Sequence, residues 1–299
     1  MPDDVTISLV IPTYQREQVL CATLRQVLEL PSQPLEILVV DQTPQHEDAT
    51  EAYLRSLADQ ITWIRAAVPG LPQARNLGLS RAHGDVILFV DDDVAIDSDL
   101  VAEHARCYRD ETVVAVAGRV RSPQSDGQPP RRGKTGLVNL WSSMPSENWD
   151  SDQPSEVMWC TGGNMSARRE ALSAVGGFDE AYGVGAALLE DTDVSLLLRR
   201  SGRIVYCPQA SIIHLAATTG GVRVPAIEDY VWSLSRNRAY FVRKHAQVLQ
   251  RATSLARLAV TVASFTVRRR NPRILAAGLR GVRDAYRLPL PRPEGPWPR

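Results

Sequence analysis

The sequence predicts an α/β fold with a mainly parallel central sheet. Short apolar segments of strand length alternate with longer segments of helical spacing, which is typical of βαβ units. Several of the apolar segments end in an acidic or polar residue, and in an open α/β sheet ligands gather at the carboxyl ends of the strands. The clearest example is 86–90, a wholly apolar segment followed by Asp91, Asp92 and Asp93.

The elements follow one another in a regular order. The predicted strands are 7–11, 35–40, 61–64, 86–90, 113–120, 204–206 and 212–214. Each is a short apolar run bounded by polar or turn residues. The predicted helices are 15–30, 43–58, the segment after Pro72 that carries Arg75 and Asn76, 99–108, 168–174 and 190–200. Their apolar residues recur every three or four positions, Pro31 ends the first helix and Gly202 caps the last.

One long segment, 122–152, shows neither the apolar run of a strand nor the spacing of a helix. It is rich in Pro, Gly, Ser and charged residues and is therefore predicted to be a loop. A long loop inside a compact domain often serves as a lid over a functional site.

The charge of the chain is unevenly distributed. The 299 residues contain 34 basic and 34 acidic side chains, but 235–299 alone holds fifteen Lys and Arg against two acids. This segment therefore carries +13 and the remainder −13. Such asymmetry predicts an acidic catalytic body and a basic segment that meets an anionic surface, whereas nucleic acid would be repelled by the body.

The four cysteines are far apart and form no C-x-x-C pair, which argues against a zinc site or a disulfide scaffold and favours a reducing cytosol. The first residues are acidic rather than basic, so a signal peptide is not expected. A run of about 18 uninterrupted apolar residues, which a spanning helix would need, is also missing. The expected location is cytoplasmic, with peripheral attachment to the inner face of the plasma membrane.

The three aspartates at 91–93 are candidate metal ligands. Adjacent carboxylates repel one another unless a cation lies among them, and hard oxygen ligands favour Mg²⁺ or Mn²⁺, which commonly also binds substrate phosphates. A solvated acidic turn is the alternative, since aspartate is common in turns.

Seven motifs occur in an order and spacing that resemble those of inverting glycosyltransferases of family 2. They are Val10-Ile-Pro-Thr-Tyr-Gln-Arg16, Leu38-Val-Val-Asp41, Ala74-Arg-Asn-Leu-Gly78, Asp91-Asp-Asp93, Gly162-Gly-Asn164, Gly176-Gly-Phe-Asp179, and Glu190-Asp191 followed by Arg199. The resemblance implies the Rossmann-like GT-A fold and a hexosyltransferase activity. We expect a GT-A domain at 1–225, a basic amphipathic helical extension at 226–287 and a disordered proline-rich tail at 288–299.

The resemblance also implies roles for individual residues. The nucleotide-sugar-binding residues would be Pro12, Thr13, Tyr14, Arg16, Asp41, Arg75, Asp91, Asp92, Gly162 and Gly163, and the Mn²⁺ or Mg²⁺ ligands would be Asp93, Asp91 and His214. Tyr14 would stack on the base, Asp41 would accept a hydrogen bond from the base imide, and Arg75 would contact the base or a phosphate. Asp91 would touch the ribose, and Asp92 could share or exchange a role with its neighbours.

Four of these residues also have a purely structural interpretation. Tyr14 could close the end of a strand, and Asp41 could cap the next helix. Arg75 could form a salt bridge on a helix surface, and His214 could be a structural histidine after an apolar stretch.

The resemblance assigns the acceptor side of the reaction to Glu190 and Asp191. Asp191 would be the general base that takes the proton of the acceptor hydroxyl, and Glu190 would orient the acceptor or Asp191. Acidic residues in the first turn of a helix are the structural alternative. Asp193, one turn further, is expected to be a surface or capping acid.

The expected activity is metal-dependent transfer of a sugar from a UDP- or dTDP-sugar to a hydroxyl of a carbohydrate, a lipid-linked or a small-molecule acceptor. A nucleotidyltransferase is the first alternative, but Pro12-Thr-Tyr-Gln stands where a Gly-rich basic loop would be expected. A non-catalytic nucleotide-sugar-binding module is the second, and the retained acids argue against it. A Walker phosphate-binding loop is excluded because its motif is missing.

The C-terminal region predicts amphipathic helices at 228–245, 252–267 and 274–286 with basic faces. Such helices can lie at a membrane interface that contains anionic lipids. They could instead form a cap docked on the acidic domain, or the interface of a homodimer.

Overall fold

The computed structural model describes residues 5–125, 133–221, 224 and 226–290. The strands are β1 (Ile7–Thr13), β2 (Glu36–Asp41), β3 (Thr62–Arg65), β4 (Val86–Val90), β5 (Val94–Ile96), β6 (Val113–Arg121), β7 (Val138–Asn139), β8 (Met144–Pro145), β9 (Ser155–Glu156), β10 (Asn164–Arg168) and β11 (Arg203–His214). The helices are α1 (Gln18–Leu28), α2 (Asp48–Ser56), α3 (Leu71–Arg81), α4 (Leu100–Cys107), α5 (Arg169–Ala174), α6 (Glu190–Leu198), α7 (Ile227–His245), α8 (Val248–Arg269) and α9 (Arg273–Arg287).

The central sheet has the order β3-β2-β1-β4-β10-β6-β11-β5, and β9 pairs with β11. Strands β3, β2, β1 and β4 run parallel, as do β6 and β11. The mainly parallel α/β fold predicted from the sequence is therefore confirmed. Parallel pairing places the carboxyl ends of β1, β2 and β4 at one rim, where their polar residues meet.

Strand β10 was not predicted, and it lies antiparallel between β4 and β6. Its sequence alternates polar and apolar residues, with Asn164 and Ser166 fully buried, so it does not show the apolar run of its neighbours. The pairing of Asn164 with Val90 brings the residues before β10 to the end of β4. Gly163 consequently accepts a hydrogen bond from the Asp91 backbone N–H at 3.2 Å.

Both faces of the sheet are covered, which explains the uninterrupted apolar character of β4. Ile87 and Phe89 point into one core cluster, and Val86, Leu88 and Val90 into the other. Strands buried on both faces read as continuous hydrophobic runs rather than as alternating patterns.

Helix α2 begins later than predicted, at Asp48 rather than at residue 43. The residues before it form a tight turn around Asp41, whose carboxylate accepts hydrogen bonds from the Thr43 backbone N–H at 2.8 Å and from His46 Nε2 at 3.0 Å. These bonds satisfy the backbone outside a helix, and they tie the turn to the end of β2.

Strand β11 is one long strand where the sequence indicated two short ones. It has an irregularity in its pairing with β6 between Cys207 and Ser211, next to Pro208, which cannot donate a backbone hydrogen bond. Asn164 stabilises this region, since its Nδ2 donates to the carbonyl of Ala210 at 2.9 Å. The strand then continues to His214 at the rim of the sheet.

The described part of the predicted lid, 122–152, is packed rather than structureless, and 126–132 lies outside the described residues. It contains the β7–β8 hairpin. The hydroxyl of Tyr206 donates to the carbonyls of Trp149 at 2.9 Å and Ser151 at 2.6 Å, and Arg238 donates to Ser143 Oγ at 3.0 Å. These residues are therefore anchored to β11 and α7, and the expected role of the segment as a lid stays a prediction.

The C-terminal extension forms three helices, as predicted, although α8 begins at Val248 behind a capping box made by Gln247 and Gln250. Helix α7 contributes Tyr240, Phe241 and Val242 to the same core cluster as the sheet. Of the helices in the described segments, none has both the length and the apolar composition that a membrane-crossing helix needs. The expected tail, 288–299, falls outside the described residues from 291 onward.

An ionic network joins α7 to α6. Asp193 is fully buried and accepts from Lys244 Nζ at 2.7 Å, His245 Nε2 at 2.6 Å and the Tyr182 hydroxyl at 3.1 Å. Lys244 also contacts Asp179 at 3.0 Å. Burial works to raise the pKa of Asp193, but the His245 hydrogen bond and the Lys244 charge outweigh burial and lower it. The sequence-based assignment of Asp193 as a surface acid is therefore wrong.

We predict that Asp193→Asn lowers the free energy of unfolding by about 3 kcal/mol, because it removes one partner of a buried ion pair. The control is Asp59→Asn, which alters an exposed carboxylate and should change stability by less than about 0.5 kcal/mol. Urea unfolding monitored by circular dichroism measures both changes. Equal midpoints for the two variants would contradict the role of the network.

Because the pKa of Asp193 is lowered in the folded state, the contribution of this carboxylate to stability should be present at neutral pH and disappear on acidification.

Candidate active site

A cleft of about 250 Å³ opens at the carboxyl ends of β1, β2 and β4. It is lined by Pro12, Thr13, Tyr14, Arg16, Gln42, Leu71, Asp91, Asp92, Asp93, Ala187, His214 and Gly221. Eight of these residues were predicted to bind the nucleotide-sugar or a metal, and the parallel sheet is what gathers them at one rim.

Asp91 and Asp93 face His214, whereas Asp92 is bonded to Thr13. One ligand atom from each of Asp91, Asp93 and His214 lies within 4.8 Å of the others. His214 Nε2 is 3.2 Å from Asp93 Oδ1 and 3.9 Å from Asp91 Oδ2. Asp92 Oδ2 instead accepts a hydrogen bond from Thr13 Oγ1 at 2.6 Å. Thr13 therefore holds Asp92 at the side of the cleft formed by β1.

The electrostatics of the three aspartates differ. Burial raises the pKa of Asp91, and it raises that of Asp92 to about 7 despite the Thr13 hydrogen bond and the Arg16 charge. Burial also works against ionisation of Asp93, but its hydrogen bond and charge interaction with His214 lower its pKa. Carboxylates are ligands that Mn²⁺ and Mg²⁺ prefer, and the His214 imidazole is a third metal-ligand type within reach, so this group fits a divalent cation.

Arg16 is a buried counter-ion at this site. Its Nη2 is 3.1 Å from Asp93 Oδ2 and its Nε is 3.4 Å from Asp92 Oδ1. Its Nη1 donates to the carbonyls of Ala217 and Thr219, which follow β11. Arg16 thus neutralises the aspartates and holds the segment after β11 across the cleft, in addition to lining it.

The end of β1 forms the adjoining wall. Pro12 and Thr13 are buried, while Tyr14 is partly exposed in the cleft. The Tyr14 carbonyl accepts a hydrogen bond from the Gly221 N–H at 2.8 Å. Gly220 has a φ of +70°, and a Cβ there would overlap the Gln15 carbonyl, so glycine is required at this close approach.

Asp41 is enclosed behind the cleft. Its Oδ2 accepts from His46 at 3.0 Å and from Trp63 Nε1 at 2.9 Å, in addition to the Thr43 bond to Oδ1. Asp41 does not appear among the described residues that line the cleft. The next residue, Gln42, does line it. The alternative that Asp41 caps α2 is wrong, because the residue before that helix is Glu47.

Arg75 lies between the two groups of acids. Its side chain is only 2% exposed, so the alternative of a helix-surface salt bridge is wrong. Its Nη1 is 3.1 Å from Glu190 Oε1, its Nη2 is 4.0 Å from Asp91 Oδ1, and its guanidinium lies over the Phe178 ring at 5.2 Å. It is buried away from the cleft lining and links the strand-end aspartates to the start of α6.

Gly162 and Gly163 provide the space for this arrangement. A Cβ at Gly162 would overlap the Arg75 guanidinium, and one at Gly163 would overlap the Asp91 carboxylate. The Gly162 backbone N–H also donates to Asp191 Oδ2 at 3.0 Å. Close packing around charged side chains, rather than backbone flexibility, explains both glycines.

Glu190 and Asp191 begin α6 directly after Leu189, which has the left-handed φ of +73°. Strained backbone before a pair of acids is common at functional sites. Asp191 Oδ1 accepts the Thr192 N–H at 2.6 Å. Burial and the charge of Asp191 raise the pKa of Glu190 to about 7, and burial raises that of Asp191 although Arg75 opposes it.

Sequence reasoning missed four cleft residues: Gln42, Leu71, Ala187 and Gly221. Gln42 could have been found, since it follows the end of β2 directly. The other three are small or apolar residues from distant segments, and nothing in their sequence context distinguishes them from packing residues.

Comparisons with known proteins agree with this arrangement. Residues 8–176, more than half of the chain, match the family model described as Glycosyl transferase family 2. A glucosyl-dolichyl phosphate glucuronosyltransferase of Haloferax volcanii is 24% identical over 216 residues, which cover 70% of this chain and 68% of that protein. An N-acetylglucosaminyl-diphospho-decaprenol L-rhamnosyltransferase of Mycobacterium tuberculosis is 32% identical over 127 residues, 38% of this chain and 40% of its own.

Solved structures share the fold. A mannosyltransferase from Pyrobaculum calidifontis, in complex with GDP-Man and Mn²⁺, superposes with a TM-score of 0.59 at 20% identity, covering 96% of this chain and 76% of that one. GalNAc-T7 with UDP, GalNAc and Mn²⁺ also gives a TM-score of 0.59, at 18% identity, over 81% of this chain and 50% of its own. The GT-A architecture expected from the motifs is confirmed, and the family match over residues 8–176, more than half of the chain, shows that this chain belongs to glycosyltransferase family 2.

Proposed function

We propose that this glycosyltransferase moves a sugar from a nucleoside diphosphate to an acceptor hydroxyl by a single, inverting displacement that depends on a divalent metal. The observation that carries the proposal is the position of Arg75. It joins a group suited to a metal, Asp91 with Asp93 and His214, to a pair of acids with raised pKa values, Glu190 and Asp191. Such a site has one side for the leaving diphosphate and another for the acceptor.

The donor side is formed by the ends of β1, β2 and β4. We assign the base to the region of Tyr14 and Gln42, with Asp41 behind it, and the ribose to Asp91. A cation held by Asp91, Asp93 and His214 would offset the charge of the leaving diphosphate. Arg16 keeps Asp92 and Asp93 in place and closes the segment after β11 over the cleft.

The acceptor side is formed by the start of α6. Asp191 is oriented by the backbone N–H groups of Gly162 and Thr192, and its raised pKa makes it a stronger base than an ordinary aspartate. It takes the proton of the acceptor hydroxyl as that oxygen attacks the anomeric carbon. Glu190, held by Arg75, positions this segment rather than accepting the proton.

The acceptor is proposed to be a lipid-linked sugar. The names of two relatives, the dolichyl phosphate glucuronosyltransferase and the decaprenol rhamnosyltransferase, support this choice over a soluble polysaccharide or a small-molecule glycoside. A UDP-sugar is the first donor to test, with dTDP- and GDP-sugars in the same panel.

The first prediction concerns the metal. Release of nucleoside diphosphate from the cognate donor should be abolished by EDTA and restored by Mn²⁺ or Mg²⁺, because the diphosphate charge would otherwise oppose its departure. Asp93→Ala should lower turnover at saturating metal. Undiminished turnover in EDTA, together with an unaffected Asp93→Ala enzyme, would refute the metal role. Turnover of a nucleoside triphosphate with a sugar phosphate would indicate a nucleotidyltransferase, and donor binding without turnover a binding module.

The second prediction concerns the base. Asp191→Asn should reduce kcat by about 100-fold or more, the usual scale for loss of a positioned general base, while the donor dissociation constant changes little. Glu190→Gln should reduce kcat less, since it leaves the base in place. Calorimetric titration of the donor and steady-state kinetics separate these effects. Normal turnover of Asp191→Asn, or loss of donor binding in step with activity, would show that the base lies elsewhere.

The third prediction concerns pH. The base must be ionised, and burial raises its pKa, so kcat/KM should fall on acidification at a pH above the ordinary aspartate pKa of 3.8. Burial and the charge of Asp191 raise the pKa of Glu190, whereas the pKa of Asp191 itself is raised by burial, so Glu190→Gln should leave the acidic limb close to its position in the unaltered enzyme. A limb that shifts markedly or disappears in Glu190→Gln would mean that it reports Glu190 rather than Asp191.

A further inference from the structure

The large apolar residues that face solvent are concentrated in the last part of the described chain. Fourteen such side chains are exposed among the residues that the structure describes, and eight of them lie between residues 248 and 290. Isolated exposed apolar residues need no explanation, but clustered ones mark a surface that meets something else.

Helix α8 carries a continuous exposed apolar stripe. Its members are Leu249, Ala252, Ala256, Val260, Ala263 and Val267, all exposed and spaced three or four residues apart. Leu249, Val260 and Val267 are 65%, 70% and 74% exposed. The opposite side of the helix, with Leu258 and Val262 buried, packs on the protein. The stripe runs from residue 249 to residue 267 of this helix, so it follows a length of about 28 Å.

Helix α9 repeats this pattern beside a basic face. Leu275, Leu279 and Tyr286 are exposed along one side, while Ile274 and Ala277 are buried. The exposed arginines of the two helices and their connection are Arg257, Arg268, Arg269, Arg270, Arg273, Arg280, Arg283 and Arg287. The only acid in 248–287 is Asp284, which already accepts a hydrogen bond from Trp232 Nε1 at 3.0 Å.

The β7–β8 hairpin adds to this surface. Ser254 Oγ of α8 donates to the Leu140 carbonyl at 3.4 Å, which holds the hairpin against α8. Trp141 and Met144 of the hairpin are 47% and 55% exposed. Tryptophan is favoured at membrane interfaces, where an apolar ring with one polar atom suits the headgroup region.

We propose that α8 and α9, with the β7–β8 hairpin beside them, dock on a membrane surface that contains anionic lipids. The apolar stripes would enter the headgroup boundary, and the arginines would contact lipid phosphates. A second copy of the chain fits less well, because pairing two such stripes would bring two sets of arginines together with almost no acid between them.

The docking surface is connected to the cleft through α7. Ser233 of α7 accepts a hydrogen bond from the Ala186 N–H at 3.1 Å, next to the cleft residue Ala187. Gly281 of α9 packs on the backbone carbonyl of Trp232, which also belongs to α7. Membrane docking would bring the cleft to a lipid-linked acceptor; that consequence depends on the proposed function, whereas docking itself does not.

The test is co-sedimentation of the full-length protein with vesicles of phosphatidylcholine alone or mixed with phosphatidylglycerol, over a range of NaCl concentrations. We expect binding to the mixed vesicles that weakens as salt rises. The triple variant R268Q/R269Q/R270Q should bind at least about tenfold more weakly, since each basic residue near an anionic surface contributes roughly fivefold. The double variant V260D/V267D should lose binding, because it places charge in the apolar stripe.

The matched control is Leu35→Asp, which alters an exposed apolar residue outside this surface and should bind as the unaltered protein does. Thermal unfolding of each variant checks its fold. Failure to bind mixed vesicles at low salt, equal binding to neutral vesicles, or a loss equal to that of Leu35→Asp would overturn the proposal. So would light scattering that shows a dimer which V260D/V267D dissociates, since the stripe would then be a subunit interface. Nucleotide release measured without vesicles is independent of all these outcomes.

Discussion

The active site depends on how carboxylates are held together without mutual repulsion. Five of them surround the cleft and its acceptor side: Asp91, Asp92, Asp93, Glu190 and Asp191. Two buried arginines supply the opposing charge. Arg16 lies between Asp92 and Asp93, and Arg75 lies between Asp91 and Glu190. A guanidinium stays charged when buried and can contact two acids at once, which a lysine ammonium does with less geometric control. The glycines at 162 and 163 are needed because any side chain there would displace Arg75 or Asp91.

The same principle extends to the helices that follow the catalytic domain. Lys244 and His245 of α7 compensate the buried Asp193, which lies half a turn from Asp191 on α6. Tyr240 and Phe241 of α7 share a core cluster with residues of the central sheet, such as Phe89. The extension is therefore part of the body that positions the proposed base, while α8 and α9 present their outer faces to solvent. The C-terminal helices thus have two parts: α7 supports α6 through charged contacts, and α8 with α9 exposes an apolar and basic surface.

The elements that the sequence predicted well are those whose burial shows directly in their own hydrophobic pattern. Strands such as β4 are buried on both faces, so their apolar runs are unbroken and their ends are visible. Strand β10 was missed because its buried polar residues are satisfied by partners elsewhere: Ser166 by His104 and Tyr108, and Asn164 by His104. Helix α2 was placed too early because the turn around Asp41 is held by His46 and Trp63, contacts that the local pattern does not reveal.

The sequence by itself determined which acids stand at the rim. Alternating strands and helices imply parallel strands, and parallel strands carry the residues after β2 and β4 to the same edge. Its motifs also indicated the family and the pairing of Asp91 and Asp93 with His214. Only the tertiary structure decided which of these side chains meet the cleft. Asp92 is held by Thr13 and Arg16, whereas Asp91 and Asp93 face His214. Arg75 and Asp193 can be buried because folding brings their partners, Glu190 and Lys244, to them from far along the chain. Whether a charged side chain can be buried depends on such partners and not on the residues next to it in the sequence.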